Sequence, residues 1–327
     1  MILVNLFRDR LDCYGEVEAV GRAWERLDAT SPASTVYVLN ADDPIVAHLG
    51  RGSRAAVFYG LEDPAHGRPA LEHASDAKSC RRCGAPYEYE RAFLGHLGHY
   101  ACPACGARRP VPDVAGTAVR LEGVTGSRVS IRTRAGDLDV RLPLPGLYNA
   151  YNALAATAAG LALGAPLGAV RRGLEAVRPI FGRAETIEVA GTAVSILLMK
   201  NPAGANELLR TLGRESPNGG FDLWIGLNDG TPDGRDVSWI WDADFETFAG
   251  RVRGVTCSGT RAAELGLRLK YAGWPEEAIA VDGDIGRSLD SAVARAAGRL
   301  FALPTYTALL ELRTLLARRG LAPEYWA

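Results

Sequence analysis

Four of the six cysteines in this 327-residue chain form two Cys-x-x-Cys pairs, Cys80/Cys83 and Cys102/Cys105, with eighteen residues between them. Two short knuckles that each supply two thiolates match the four tetrahedral corners that Zn²⁺ prefers. A redox dithiol, the other chemistry of such a motif, needs only one pair. Gly84 and Gly106 each follow the second cysteine of a pair, where a tight knuckle turn favours glycine. The doubled spacing therefore predicts a closed, structural zinc site, with Cys80, Cys83, Cys102 and Cys105 as ligands and no open position for catalysis. His96 and His99 lie between the pairs and are expected to be loop residues, not ligands. Zinc binding can contribute on the order of 10–16 kcal/mol to folding. That suits an insert of about thirty residues that is too small for a core of its own. The rival is a zinc ribbon for nucleic acid, since Arg81, Arg82, Arg108 and Arg109 flank the knuckles. Against it stands the chain's net charge of −1, which provides no polyanion-binding field at whole-chain level.

Other chemistry-bearing residues cluster in short motifs. "NLFRDRLDCYGE" packs Asp9, Asp12 and Glu16 into one loop and helix start, either a cation- or phosphate-proximal loop or a cap made by Asp12. "LNADDP" places Asn40, Asp42 and Asp43 just after a strand, where carboxylates suit ribose hydroxyls or cap a following helix. "YNAYNALAA" puts Asn149 and Asn152 three apart on one helix face, fit for an adenine edge or for a cap. Lys200, one of only three lysines beside 34 arginines, ends a strand in "LLMKNPAG", where an ammonium can meet a terminal phosphate. "NDGTPDGRDVSWIWD" gathers Asp229, Asp233, Asp236 and Asp242 with Trp239 and Trp241, which reads at its plainest as an acidic solvated loop with two packed tryptophans. Cys257 lies in a strand-like run with no histidine nearby in sequence, so it forms no local Cys-His pair.

The elements that must hold these residues alternate between strand-like and helix-like runs. "ILVNL", "TVYVLN" and "AAVFYG" read as strands, with a helix over "GEVEAVGRAWERL"; alternation of this kind predicts a parallel sheet. Residues 61–78 are polar and turn-rich. From 114 to 143, three alternating runs predict a small antiparallel sheet. "LYNAYNALAATAAGLALG" predicts a helix that stops at Gly164, and "LGAVRRGLEAV" a second one. Near residue 182 the pattern restarts with a hairpin turning at Gly191, then alternates helix and strand to the end. The reading is α/β throughout, with a first domain over 1–181, a zinc-ribbon insert at about 78–111, and a Rossmann-like α/β domain over 182–327. Apolar residues make up 47% and charged residues 23%, values ordinary for a globular protein. No apolar run of about 18 residues and no leader pattern is present, so a cytoplasmic location is expected.

Taken together, "NLFRDRLDCYGE", "LNADDP", the four-cysteine insert, "GLYNAYNALAA", "KNPAG" and "LNDGTPDGRDVSWIWDADFE" resemble the Mur ligase superfamily. The similarity is strongest to its MurT-like branch, the ligase-like subunits of lipid II isoglutaminyl synthases, and it runs in order over nearly the whole chain. The resemblance implies a Mur ligase-like central domain and ATP- and Mg²⁺-dependent activation of a carboxylate as an acyl phosphate that an amine attacks. For the MurT-like branch it implies that the acid is the α-carboxyl of D-glutamate in the lipid II stem peptide. Ammonia would come from a partner glutamine amidotransferase, and D-isoglutamine would be the product. Contact with the membrane would be peripheral, through the lipid-borne substrate, with no role for nucleic acid. By motif position, Asn40, Asp42, Asp43, Asn149 and Asn152 would lie near the base or ribose, with Arg183 and Lys200 facing the phosphates. Asp236, with Asp229 next, would reach the partner and complete its Cys-His pair, orienting the imidazole.

Two features depart from the family pattern. No Gly-x-x-Gly-Lys-Thr phosphate loop occurs, and the resemblance begins partway through the central domain. An N-terminal truncation with an incomplete sheet and weak or no ATP binding is therefore expected, and the second reading is an inert scaffold that binds the amidotransferase through its C-terminal domain. Arg10 also stands where many Mur ligases carry a metal-binding histidine, a departure that the MurT-like branch shares.

Overall fold

The computed structural model describes residues 1–9, 11–52, 55–72, 75–178, 183–215 and 220–323, with the side chains of 11, 183 and 184 outside the description. The contacts divide the chain into two compact units. One comprises Met1–Arg8 and Tyr14–Arg178; the other comprises Asp9–Cys13 and Pro179–Ala327. The sequence reading assigns all of 1–181 to one domain, whereas the short segment Asp9–Cys13 packs with the later residues.

The short α1 (Leu11–Tyr14) falls almost wholly in the segment that packs with the second unit; in the first unit, β1 (Ile2–Leu3), α2 (Val17–Thr30), β2 (Tyr37–Asn40), α3 (Pro44–Leu49) and β3 (Ala56–Leu61) precede the cysteine insert. β2 is buried along its whole length because both of its faces are covered. Its pleat sends Tyr37 and Leu39 towards Val46 and Leu49 of α3, and Val38 towards the opposite core. The insert contributes the hairpin β4 (Glu88–Leu94) and β5 (Leu97–Ala101). Then follow β6 (Val114–Leu121), β7 (Ser127–Thr133), β8 (Gly136–Leu142), α4 (Leu147–Ala162) and α5 (Leu167–Glu175). The sheet order is β1-β2-β3-β6-β7-β8, parallel as far as β6 and antiparallel beyond. The three runs from 114 to 143 are thus not a separate small sheet. β6 hydrogen-bonds to β3 and extends the parallel sheet.

Helix α4 is alanine-rich because it lies close against that sheet. Leu154 is fully buried, a contribution of about 2 kcal/mol. A Cβ on Gly116 of β6 would come within 3.1 Å of both Leu154 and Leu61, so glycine there sets the helix–sheet distance. The helix ends as the sequence predicts, with Gly164 left-handed and the Ala165 N–H turned back to the Gly160 carbonyl.

The second unit holds β9 (Arg183–Val189), β10 (Thr192–Leu197), α6 (Pro202–Glu215), β11 (Phe221–Gly226), β12 (Val252–Ser258), α7 (Ala262–Tyr271), β13 (Ile279–Val281), α8 (Ile285–Arg295), β14 (Leu300–Pro304) and α9 (Tyr306–Arg318). Ala190 and Gly191 both have positive φ, which matches the turn of the β9–β10 hairpin to the twist of its strands. The sheet order is β13-β12-β11-β14-β10-β9, parallel except for β9. Trp224 lies fully buried among Leu289, Leu309 and Leu312, and its indole N–H donates to the Ser288 hydroxyl at 2.9 Å. After winding outward through β11, β12 and β13, the chain returns to place β14 between β11 and β10. No helix among the described residues is long and apolar enough to cross a membrane.

Candidate functional site

The two cysteine knuckles are built alike. In one, the Gly84 N–H donates to the Cys80 carbonyl at 2.8 Å and the Cys80 N–H to the Ala85 carbonyl at 2.8 Å. In the other, Gly106 and Cys102 donate to the Cys102 and Ala107 carbonyls at 3.0 and 2.7 Å. Gly84 and Gly106 have φ of 78° and 71°, and nothing would crowd an added Cβ, so backbone conformation and not space calls for glycine. The four Sγ atoms all lie within 4.8 Å of one another. Burial raises the pKa of the Cys80 thiol, but the N–H groups of Arg82 and Cys83, with the Tyr87 hydroxyl, outweigh it and bring the pKa down to about 6. The backbone at Ala85 favours the Cys83 thiolate, yet the neighbouring thiols push that group up to about 12. The Cys80 thiolate is favoured and the Cys83 thiolate disfavoured, as expected where crowded sulfurs call for a cation at their centre. This donor set fits a closed tetrahedral metal site.

Neither histidine joins the cluster. His99 lies in β5, not in a loop, with Nε2 2.9 Å from the Leu61 carbonyl. His96 occupies the β4–β5 turn, fully buried, with Nε2 3.3 Å from Asp43 and Nδ1 4.0 Å from Asp76. The Phe7 ring packs 4.8 Å from its imidazole. Two of the flanking arginines are tied into the fold: Arg81 pairs with Glu25, and Arg109 with both Asp42 and Glu62.

Asn40, Asp42 and Asp43 come together at the end of β2, all fully buried. Asp42 is a hub. Its carboxylate accepts from Arg109 Nε, from the Leu61 N–H at 2.8 Å and from the Tyr151 hydroxyl of α4 at 2.7 Å. Asp43 caps α3, accepting from the Ile45 and Val46 N–H groups at 2.9 and 3.2 Å, while its second oxygen takes the Leu6 N–H at 2.8 Å. Asn40 accepts from the Asp42 N–H, but its Nδ2 has no partner among the described residues. Asn149 and Asn152 meet one another at 3.2 Å on α4, the first donating to the Pro145 carbonyl and buried, the second exposed. Neither caps the helix, which begins at Gly146 without a side-chain cap.

In the second unit, Lys200 donates to Asp9 at 2.7 Å, just before the first turn of α6. The other oxygen of Asp9 is buried without a partner among the described residues. Asp12 does not cap α2. It accepts the Arg235 N–H at 2.9 Å, and α2 starts at Glu16 with no side-chain cap. The side chain of Arg183 lies outside the described residues.

The acidic loop is pinned at several points. Asn228 accepts from the Thr260 N–H and donates to Glu311, both at 2.9 Å. Asp229 takes the Thr260 hydroxyl at 2.8 Å and Arg261 at 3.2 Å, which hold its carboxyl below the usual range. Asp233 is buried against the Thr307 N–H and hydroxyl at the start of α9, and that burial raises its pKa. Asp236 is exposed. Its carboxylate is held below the usual range by the Ser238 hydroxyl and N–H, the latter at 2.8 Å. Trp241 is not packed away but 48% exposed, with the Arg268 guanidinium 5.3 Å from its ring.

Sequence reasoning missed Arg109, Tyr151 and Asp76, the last of which binds Arg8 at 2.6 Å. Asp42 lies 67 residues from Arg109 and 109 from Tyr151, and no local pattern encodes pairings over such separations.

Comparison with known proteins decides the family. The lipid II isoglutaminyl synthase (glutamine-hydrolyzing) subunit MurT of Streptococcus pneumoniae is 32% identical over 321 residues, covering 97% of this chain and 70% of that protein. The chain belongs to the MurT ligase family. The subunit of the same name from Staphylococcus aureus matches equally, and a model of the MurT ligase C-terminal region matches residues 198–309. That span takes in Lys200 and the whole acidic loop. Among solved structures, a pseudomurein peptide ligase type C from Methanothermus fervidus superposes with a TM-score of 0.71 at 23% identity, over 97% of this chain and 63% of that one. MurF of Acinetobacter baumannii does so with a TM-score of 0.63 at 17% identity, over 95% and 58%. These structures share the Mur ligase fold, and the chain spans about three fifths of their length.

Proposed function

We propose that the chain acts as the ligase-like subunit of a lipid II isoglutaminyl synthase, amidating the α-carboxylate of D-glutamate in the lipid II stem peptide. The observation that carries this reading is the 32% identity extending over 97% of the chain to subunits of that name. In the reaction, a carboxylate oxygen takes the terminal phosphoryl group of ATP and ADP leaves. Ammonia then forms a bond to the carbonyl carbon, the acyl oxygen departs with phosphate, and a proton is lost to give the amide. Phosphoryl transfer needs charge and positioning more than covalent help. Lys200 at the head of α6 supplies a cation beside a helix N-terminus, and Asp9 both holds it and offers an oxygen to Mg²⁺. Asn40, with its unused amide donor, and Asn149 with Asn152 serve the nucleotide's base or ribose, while Arg183 faces the phosphates. Asp42 and Asp43 hold the strand end that carries Asn40.

Cys80, Cys83, Cys102 and Cys105 hold structural Zn²⁺, which ties the insert's two knuckles together. Asp236, ionised and exposed, reaches a glutamine amidotransferase partner that supplies ammonia. The test is to purify the full-length gene product with that partner and supply ATP, Mg²⁺, glutamine and lipid II. Conversion of the D-glutamate carboxylate to an amide, read by mass spectrometry, is expected. A stable complex that leaves the acid unchanged would replace this reading with that of a scaffold.

A further inference from the structure

The exposed face of the β6–β8 meander carries a feature that neither the thiol cluster nor the nucleotide residues use. Register places Arg120 directly opposite Arg128, and Arg128 directly opposite Arg141. With strands about 4.8 Å apart, three arginines stand in a row spanning about 10 Å. Like charges directly opposite one another destabilise a sheet. Glu122 relieves part of this, accepting from Arg128 Nε at 2.8 Å and lying 3.8 Å from Arg141, and these arginines hold its carboxyl below the usual range. The Arg120 side chain makes no hydrogen bond or close ion pair among the described residues and acts on Glu122 only through its charge.

Two positions along the same face, Ala118, Ser130 and Asp139 form a second row, with the Ser130 hydroxyl donating to Asp139 at 2.5 Å. Between the rows runs a groove of about 470 Å³, with Arg171 and Glu175 of α5 also in its lining. Its floor is the backbone of Val119, Val129 and Val140, whose side chains turn into the core.

The geometry points to a binding groove for a diphosphate ester. Guanidinium forks match phosphate oxygens two at a time, and a row of three serves two linked phosphates better than it serves one carboxylate. Asp139 repels the anion from the second wall and accepts hydrogen bonds from hydroxyls, as it does from Ser130, so the rest of the ligand carries hydroxyl groups. This inference stands on the sheet register and is independent of the ligase reading.

Inorganic pyrophosphate is the probe, titrated calorimetrically into the wild-type chain and into the R120Q/R128Q/R141Q variant. Binding that weakens with salt is expected for the wild type, with a loss of at least about tenfold in the variant. Sedimentation with vesicles identifies the source. Binding to anionic but not zwitterionic phospholipid, displaced by pyrophosphate, identifies a lipid-borne ester; pyrophosphate binding without sedimentation identifies a soluble one. Equal pyrophosphate binding by variant and wild type overturns the proposal. R120Q alone should melt close to the wild-type temperature, since the lost attraction to Glu122 is offset by relief of the repulsion from Arg128. A fall in its melting temperature would make Arg120 structural and would also overturn the proposal.

Discussion

His96 shows what a single buried side chain does in this fold. Burial lowers the pKa of its imidazole, but Asp43, Asp76 and Glu72 outweigh that and raise it above the ordinary 6.5. Its ring nitrogens make no well-formed hydrogen bond, so the interaction is mainly one of charge. A group with a raised folded pKa stabilises fully below its unfolded value, and the effect disappears as the pH rises through the folded value. The melting-temperature advantage of the wild type over His96→Gln should therefore be largest below about pH 6.5 and shrink as the pH rises beyond it. A scan of thermal unfolding against pH for both proteins checks this, and an advantage that grows with pH would refute it. Sequence gave no hint of the role, because Asp43 and Asp76 are 53 and 20 positions away.

At the scale of elements, the cysteine insert was legible because its chemistry is local. The Cys-x-x-Cys spacing dictates the knuckle and the following glycine accommodates its left-handed turn, so four residues and two turns follow from short motifs. The insert's attachment is not local. Arg109 leaves the second knuckle to meet Asp42, and Phe93, Leu94 and Leu97 join the main core, so the hairpin packs into the first unit. Much the same holds for β6. Its alternation revealed an exposed face, but pairing with β3 depends on contacts that no periodicity records. Cys80→Ser should lose the zinc, with a loss of binding free energy on the order of 10 kcal/mol. Elemental analysis should find less than stoichiometric zinc in the variant, and thermal unfolding should come earlier. Zinc retained at the wild-type level would remove the four-sulfur site as its holder.

Across the whole molecule, the sequence alternation gave the two α/β units, but not that Asp9–Cys13 would pack with the second. That segment matters to the acidic loop, since Asp12 grips the backbone of Arg235, immediately before Asp236. Asn228 and Asp233 fix the loop's first half, and the turn at Ser238 fixes its second. Asp236 is thus an ionised, solvent-exposed carboxylate on a braced backbone. Such a group can orient a partner's imidazole and stabilise its protonated form. Asp236→Asn keeps the side chain's shape and its bond to the Ser238 N–H, so the fold should be unchanged. Its effect should appear only in the assembled complex. Glutamine hydrolysis should fall by about 10⁴, the loss seen when a triad aspartate becomes asparagine. Amidation driven by added ammonium salt should continue at the wild-type rate, because that route bypasses the partner's hydrolysis. Measuring both rates on one preparation separates the roles. Loss of both would place Asp236 in the ligase chemistry or the fold, and unchanged glutaminase turnover would exclude it from the partner's site.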